Sequence, residues 1–481
     1  MKKQNHVSEK RKRRRKKNER KAIILAVLVV ISVIALAVTL AAFVFKADFF
    51  VDKNREEQKN RQENDAQPEI EVTVEDATNQ SDHGGGLDDT DLGQTDGSDP
   101  DQSDQSAVQK DENVQVLQDV TMIFVGDICF YDAYANMTAL RARGGKIESC
   151  IDENLLAEMK AADICMVNNE FAYSDRGAPL ADKTFTFCSK PSNVSLLHDM
   201  GVDLVSLANN HVYDYGPDAL LDTLDTLKNA DIPYVGAGRD LSEASAVYYF
   251  EKNGRRIAFV SATQVERNEH PDTKGATDTT PGTFRCYTKD EFERLTAVIR
   301  EADAQADLTV VYVHWGTENT DELHWAQIEQ APKIVEAGAD LIIGDHPHCL
   351  QNVEYLNGVP VIYSLGNFWF NSKTLDTCLF KVIYRTDGKL DCRLIPAKQH
   401  DCRTDMETGS EKQRILDYMQ CISPDVTFDP DGNITNTPYT GPKIDYDAVE
   451  RVPDPPAAAT PLPAADPAGP VPDDITPVPV Q

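Results

Sequence analysis

The ten cysteines of this 481-residue chain include no Cys-x-x-Cys pair, so neither a zinc knuckle nor a thioredoxin-type redox site is indicated. All ten lie between Cys129 and Cys421, and those set in apolar runs, such as Cys165 and Cys378, read as small buried residues. An oxidising compartment would permit disulfides, but spacing alone does not give their connectivity. No internal repeat is evident. Basic residues are scarce outside the first 21 positions. The chain carries 48 Lys and Arg against 79 Asp and Glu; 12 and 2 of these fall in residues 1–21, leaving 36 and 77, a net of −41, for the rest. A body so charged has no means of neutralising phosphates in number, which argues against nucleic-acid binding. Within residues 46–117, the stretch 75–106 has almost no large apolar side chain and a dense negative charge, so it cannot bury a core.

What is present begins with the twelve basic residues of 1–21, which stand directly before an uncharged apolar run, residues 22–45. At 1.5 Å per residue that run reaches roughly 36 Å, enough to cross a bilayer with some tilt. It exceeds the h-region of a cleavable signal peptide, so an uncleaved anchor is expected. The Lys/Arg cluster places the N-terminus in the cytoplasm and everything beyond residue 46 outside, making a single-pass cell-membrane protein with an extracytoplasmic main domain. The acidic segment 46–117 then reads as an extended tether. Ten of the 26 prolines fall in residues 453–479, and the segment 439–481 reads as a Pro-rich disordered tail.

A folded domain is expected over 118–425. Apolar strand-like runs at 120–125, 164–167, 204–208, 233–235, 256–261, 308–313, 341–343 and 359–365 alternate with helical periods at 154–162, 192–200, 217–230, 291–304 and 325–336. Runs at 378–384 and 392–394 look like later antiparallel strands. This alternation is that of an α/β fold layered around a sheet system. Residues 266–285 read as a long surface loop, with a lid over the site as the alternative.

Polar residues concentrate just after the strands. Asp127, Glu170, Asn210 with His211, His314, and His346 with His348 each follow an apolar run. One such turn means little, since Asp and Asn are ordinary turn residues and a lone His-Pro-His triplet suits a solvated loop. Five in succession, all of metal-ligand type, converge beyond the carboxyl ends of the strands, on one edge of the sheet, where layered α/β folds bind ligands. Imidazole and oxygen donors without thiolate favour Mn, Fe, Zn or Mg. Two divalent ions bridged by a carboxylate such as Glu170 would clamp an anionic ester, and His211 would protonate a leaving oxygen.

These motifs (Gly126-Asp127, Asn168-Asn169-Glu170, Ala208-Asn209-Asn210-His211, His314-Trp315-Gly316-Thr317-Glu318, Gly344-Asp345-His346-Pro347-His348-Cys349-Leu350-Gln351 and Tyr363-Ser364-Leu365-Gly366-Asn367-Phe368) resemble the successive signatures of the CapA family of poly-gamma-glutamate capsule synthesis proteins. That family is a branch of the calcineurin-like metallophosphatase superfamily, and the resemblance covers residues 119–400. It implies a four-layer α/β/β/α sandwich of metallo-dependent phosphatase type, with a dinuclear metal site between the sheet edges. It also implies a membrane-attached, outward-facing protein of capsule biosynthesis, acting on an anionic cell-surface polymer beside other membrane capsule-synthesis proteins. Carried over by motif, Asp127 and His348 would serve one metal, Asn210, His314 and His346 the other, Glu170 would bridge and His211 would be the acid/base. Trp315, Glu318, Gln351 and Asn367 become candidate substrate contacts, although Trp315 reads equally as core packing. Superfamily phosphatases carry a His where this chain has Cys129 and an Asp where it has Glu170, which points to a weaker or different first metal site. A metal-dependent phosphoesterase- or hydrolase-like enzyme is expected; the alternative is a non-catalytic polymer-binding or export subunit.

Overall fold

Residues 117–181, 183–266 and 274–450 are described by a computed structural model, and the alternating pattern expected from the sequence organises them. The apolar run at the start of the domain becomes β1 (Val120–Ile128), which is joined through α1 (Ala135–Ala142) and α2 (Glu153–Ala161) to β2 (Ile164–Asn169). Then α3 (Ser195–Met200), β3 (Leu204–Ser206), α4 (Gly216–Asn229) and β4 (Tyr234–Val235) follow. β1 to β4 lie side by side and parallel, as short helical crossovers require.

A second series builds a second sheet. β5 (Tyr248–Lys252) and β6 (Arg255–Thr263) form a hairpin; α5 (Lys289–Asp303), β7 (Leu308–His314), α6 (Trp325–Glu336) and β8 (Leu341–Asp345) come next. β9 (Val353–Leu356) and β10 (Val359–Ile362) complete a six-stranded sheet of order β9-β10-β8-β7-β6-β5, with β6, β7, β8 and β10 parallel. The chain then returns to the first sheet as β11 (Asn367–Trp369), β12 (Leu375–Tyr384), β13 (Leu390–His400) and β14 (Arg403–Met406). The long strands β12 and β13 run antiparallel beside β1, as expected for the late runs.

Burial separates the layers. Phe124, Met166, Phe259, Tyr312, Ile343 and Phe380, drawn from both sheets, are fully buried in one shared cluster. Alternate residues of the first sheet, such as Val125 and Val167, pack outward on Leu155, Leu197 and Leu224 of its helices. Val311 and Ile342 of the second sheet pack on Leu295, Ile299 and Ile334. Each such side chain contributes about 1.5–3 kcal/mol of burial free energy.

Two expectations need correction. The strand run at 359–365 is cut short: β10 stops at Ile362 and, after the turn at Gly366, a separate strand, Asn367–Trp369, pairs with β1 in the other sheet. The folded chain also continues past residue 425. α7 (Gly409–Ile422) buries Ile415 and Met419 in the inter-sheet core, β15 (Thr427–Phe428) and β16 (Asn433–Thr435) extend the first sheet through β13, and α8 (Tyr446–Val449) packs Val449 into the same core. The expected tail therefore begins, in its first twelve residues, as part of the domain. The basic segment 1–21, the anchor at 22–45, the tether at 46–117 but for its last residue, and residues 451–481 lie outside the described residues. Among the described residues no helix is long and apolar enough to cross a membrane.

Candidate metal centre

The five polar turns do meet, but between two sheets rather than on the edge of one. β1, β2 and β3 deliver Asp127, Glu170 and Asn210–His211 from the first sheet, while β7 and β8 deliver His314, His346 and His348 from the second. Parallel strands whose carboxyl ends point the same way place their following turns together.

The donor atoms fall into two sets sharing one carboxylate. Glu170, His314 and His346 offer one atom each, all within 4.8 Å of one another, and Asp127, Glu170 and His348 do the same. His314 Nε2 lies 2.9 Å from Asn210 Oδ1, 3.2 Å from His346 Nδ1 and 3.6 Å from Glu170 Oε1. His348 Nδ1 lies 3.1 Å from Asp127 Oδ2 and 2.8 Å from Asn367 Oδ1. The backbone supports this clustering at a cost. His346 and His348 have φ of 103° and 59°, on the side of the map that side chains with a Cβ seldom adopt.

Glu170 tests whether a cation fits. It is fully buried, yet neither of its carboxylate oxygens has a hydrogen-bond partner. Burial, with repulsion from Asp127, Asp345 and Glu318, pushes its carboxyl well above the usual range. An orphaned buried carboxylate among other acids is costly unless positive charge sits beside it. Burial and neighbouring imidazoles hold His314 and His346 well below the ordinary histidine value, leaving the neutral rings that a metal requires. These residues are compatible with bound divalent cations.

His211 stands beside this cluster, its Nε2 3.8 Å from Glu170 Oε1. Burial lowers its pKa, and the neighbouring Asp214 carboxylate opposes that shift. Asp214 Oδ2 accepts from His211 Nδ1 and from the Phe187 N–H, both at 2.7 Å, while its Oδ1 accepts from Lys183 Nζ at 2.7 Å. The sequence reading missed Asp214, although its position three residues after His211 in the same turn was a usable signal. It also missed the carboxamides of Asn168 and Asn209. Asn168 Nδ2 donates to Asp127 Oδ1 at 2.7 Å and lies 3.2 Å from His314 Nδ1. Asn209 Nδ2 donates to Asn168 Oδ1, while Asn209 Oδ1 accepts from the backbone of His211 and Val212.

The four expected substrate contacts separate. Glu318 lines an open cleft of about 550 Å³ together with Asn210, His211 and His346. Asn367 is buried and faces His348 from β11, so it stands with the donor set instead of the cleft wall. Trp315 is fully buried, stacks on Tyr363 and donates its Nε1–H to Tyr363 O at 3.0 Å, which makes it core packing. Gln351 is also fully buried; it accepts from Gln327 and donates to Thr320 O and Glu322 O, so it braces a loop. Cys129, where superfamily phosphatases carry a His, is buried among apolar side chains, and burial pushes its thiol well up. All ten cysteines are unpaired here.

Residues 121–372 match the model of the bacterial capsule synthesis protein family PGA_cap. The chain is 33% identical over 241 residues to the PGA biosynthesis protein CapA of Bacillus subtilis, an alignment covering 49% of this chain and 61% of that protein. Against the capsule biosynthesis protein CapA of Bacillus anthracis it is 33% identical over 240 residues, 49% of this chain and 57% of the relative. The chain thus spans somewhat under two thirds of the length of these relatives. Among solved structures, a hypothetical protein from Thermus thermophilus aligns with 58% of this chain and 99% of its own at 16% identity and a TM-score of 0.34, too slight a likeness to argue from.

Proposed function

The chain belongs to the bacterial capsule synthesis protein family, and on that premise we propose that it is a metal-dependent hydrolase of the cell envelope, working on an ester or amide of an acidic capsule polymer. The observation that carries this reading is Glu170, a buried carboxylate with both oxygens unpaired, shared by two donor sets. Two divalent ions would be held, one by Asp127, His348 and Asn367, the other by Asn210, His314 and His346, with Glu170 common to both. Bound there, they supply charge that polarises an ester or amide oxygen and makes nearby water more acidic. The two-sheet layering with outer helices suits the metallo-dependent phosphatase sandwich.

The chain's own groups do the rest. His211, lining the cleft, gives a proton to the leaving atom through Nε2. Asp214 holds the ring by its Nδ1 and favours the imidazolium that forms when a proton returns. Lys183 is bound to Asp214 and to Asn210 O, fixing the turn that carries both Asn210 and His211. Glu318, on the cleft wall, is positioned to meet substrate. The expected anchor at 22–45 would place this cleft outside the cell, near the other membrane proteins that make the polymer.

Metal content by plasma mass spectrometry, with turnover on phosphodiester and gamma-glutamyl anilide substrates, tests the reading. The purified protein binds close to two equivalents of divalent metal, Glu170→Gln lowers that number, and His211→Ala keeps the metal while losing about 10²–10⁴-fold in kcat. A protein that binds no divalent metal sinks the proposal. Bound metal with polymer affinity but no turnover leaves a binding or export subunit in its place.

A further inference from the structure

The outer part of the cleft has a chemistry different from its metal-facing floor. Its wall carries two of the few large apolar side chains exposed among the described residues, Phe185 at 63% and Trp325 at 53%. They come from separate parts of the chain, the loop before Cys188–Ser189 and the first turn of α6. Two exposed aromatic rings on the wall of one cleft offer a ligand apolar faces to lie on.

Charge restricts what that something is. Lys183 is the only Lys or Arg among the described lining residues, and it is 8% exposed and committed to Asp214 at 2.7 Å. Two carboxylates, Glu266 and Glu318, line the same cleft, Glu266 being paired with Arg285 at 2.6 Å. A run of free carboxylates along this wall would meet the Glu318 carboxylate and, among the described lining residues, no Lys or Arg outside the ion pair with Asp214. The remaining polar lining, including Thr184, Gln264 and Thr317, is uncharged and suited to hydroxyl and amide groups.

We infer that the outer cleft is a sugar subsite: Trp325 and Phe185 stack against the C–H face of an uncharged pyranose, whose hydroxyls meet the neutral side chains, while the anionic group of the same substrate lies toward the metal donors. The slightly positive axial hydrogens of a pyranose match the negative face of an aromatic ring, and the polar rim matches its hydroxyls. The substrate that this subsite takes is therefore a glycan bearing an anionic linkage. This deepens the metal-hydrolase reading and rests on it only for which end of the substrate is anionic.

The chain has three tryptophans, and Trp315 and Trp369 are fully buried, so acrylamide quenching of tryptophan fluorescence reports on Trp325. The purified protein is titrated with neutral tetrasaccharides (chitotetraose, cellotetraose, maltotetraose) and, separately, with a gamma-glutamyl oligomer of equal length. At least one tetrasaccharide is expected to shield Trp325 from acrylamide, and the gamma-glutamyl oligomer to leave it open in metal-free protein. Phe185→Ala should weaken the shielding ligand about fivefold, and Trp325→Phe should abolish the ligand-dependent signal. Shielding by no tetrasaccharide, shielding by the gamma-glutamyl oligomer alone, or an unchanged affinity in Phe185→Ala overturns the subsite. Metal content of the protein as purified, before the metal is stripped, reads the hydrolase proposal separately, so each stands or falls on its own measurement.

Discussion

Asn168 is the residue through which the two sheets share one site, since its carboxamide reaches Asp127 on one side and His314 on the other. Groups that orient metal ligands matter nearly as much as the ligands. Asn168→Ala is therefore expected to weaken metal binding about 10–100-fold without removing a donor, measurable by competition with a metallochromic chelator. Asp214 acts on His211 in the same way. Asp214→Asn leaves Lys183 buried without its counter-charge, at a cost of about 3–5 kcal/mol in urea unfolding. It also removes the group that raises the His211 pKa, leaving burial and the Lys183 charge unopposed. The His211 value then falls further, so any limb of kcat requiring the protonated ring moves to lower pH; an unmoved limb would discharge His211 from that role. Trp315 and Trp325 differ only in where they lie. Truncation of the buried one to alanine should cost about 3–5 kcal/mol, and truncation of the exposed one should stay within about 0.5 kcal/mol.

At the scale of elements, the close pass of β1 against the turn before β11 sets the position of Asp127. A Cβ on Gly126 would stand 1.9 Å from Gly366 O, and the Asp127 N–H donates to that same oxygen at 3.0 Å. Gly126→Ala must push these backbones apart, and metal content should fall although no ligand has changed. The helix α5 opens with a capping box in which Thr288 Oγ1 accepts from the Glu291 N–H, and the Glu291 carboxylate accepts from the Thr288 N–H. Thr288→Ala should cost about 1 kcal/mol in thermal or urea unfolding. Burial pushes Glu291 up, but hydrogen bonds from Thr288 and Arg285 outweigh it and leave the carboxyl below its ordinary 4.5. A depressed carboxyl stabilises the fold fully above its unfolded value, and this contribution drains away as pH falls below 4.5.

Across the whole molecule, metal binding and stability should be linked, because the donors come from turns that only the folded chain brings together. Excess divalent metal should raise Tm in the wild type by an amount that grows with concentration, roughly 2.7 kcal/mol of stabilisation at one hundred times Kd. In His346→Ala the shift should shrink, as differential scanning fluorimetry would show. The amino-acid order already carried the α/β alternation, the two antiparallel late strands and most of the candidate metal donors, because apolar periodicity and turn chemistry are local. Asp127, Glu170, His314, His346 and His348 were recognisable for that reason. Other matters depended on which elements meet. Trp315 and Gln351 sit within four residues of histidine donors, yet their side chains turn into packing. Asn367 reaches His348, a candidate donor, because β11 crosses from one sheet to the other. Two sheets facing each other, the orphaned Glu170 between them and the exposed Trp325 beside the cleft are long-range outcomes of burial. Spacing along a chain does not encode them, since the residues involved are brought together only when the two apolar sheet faces leave water.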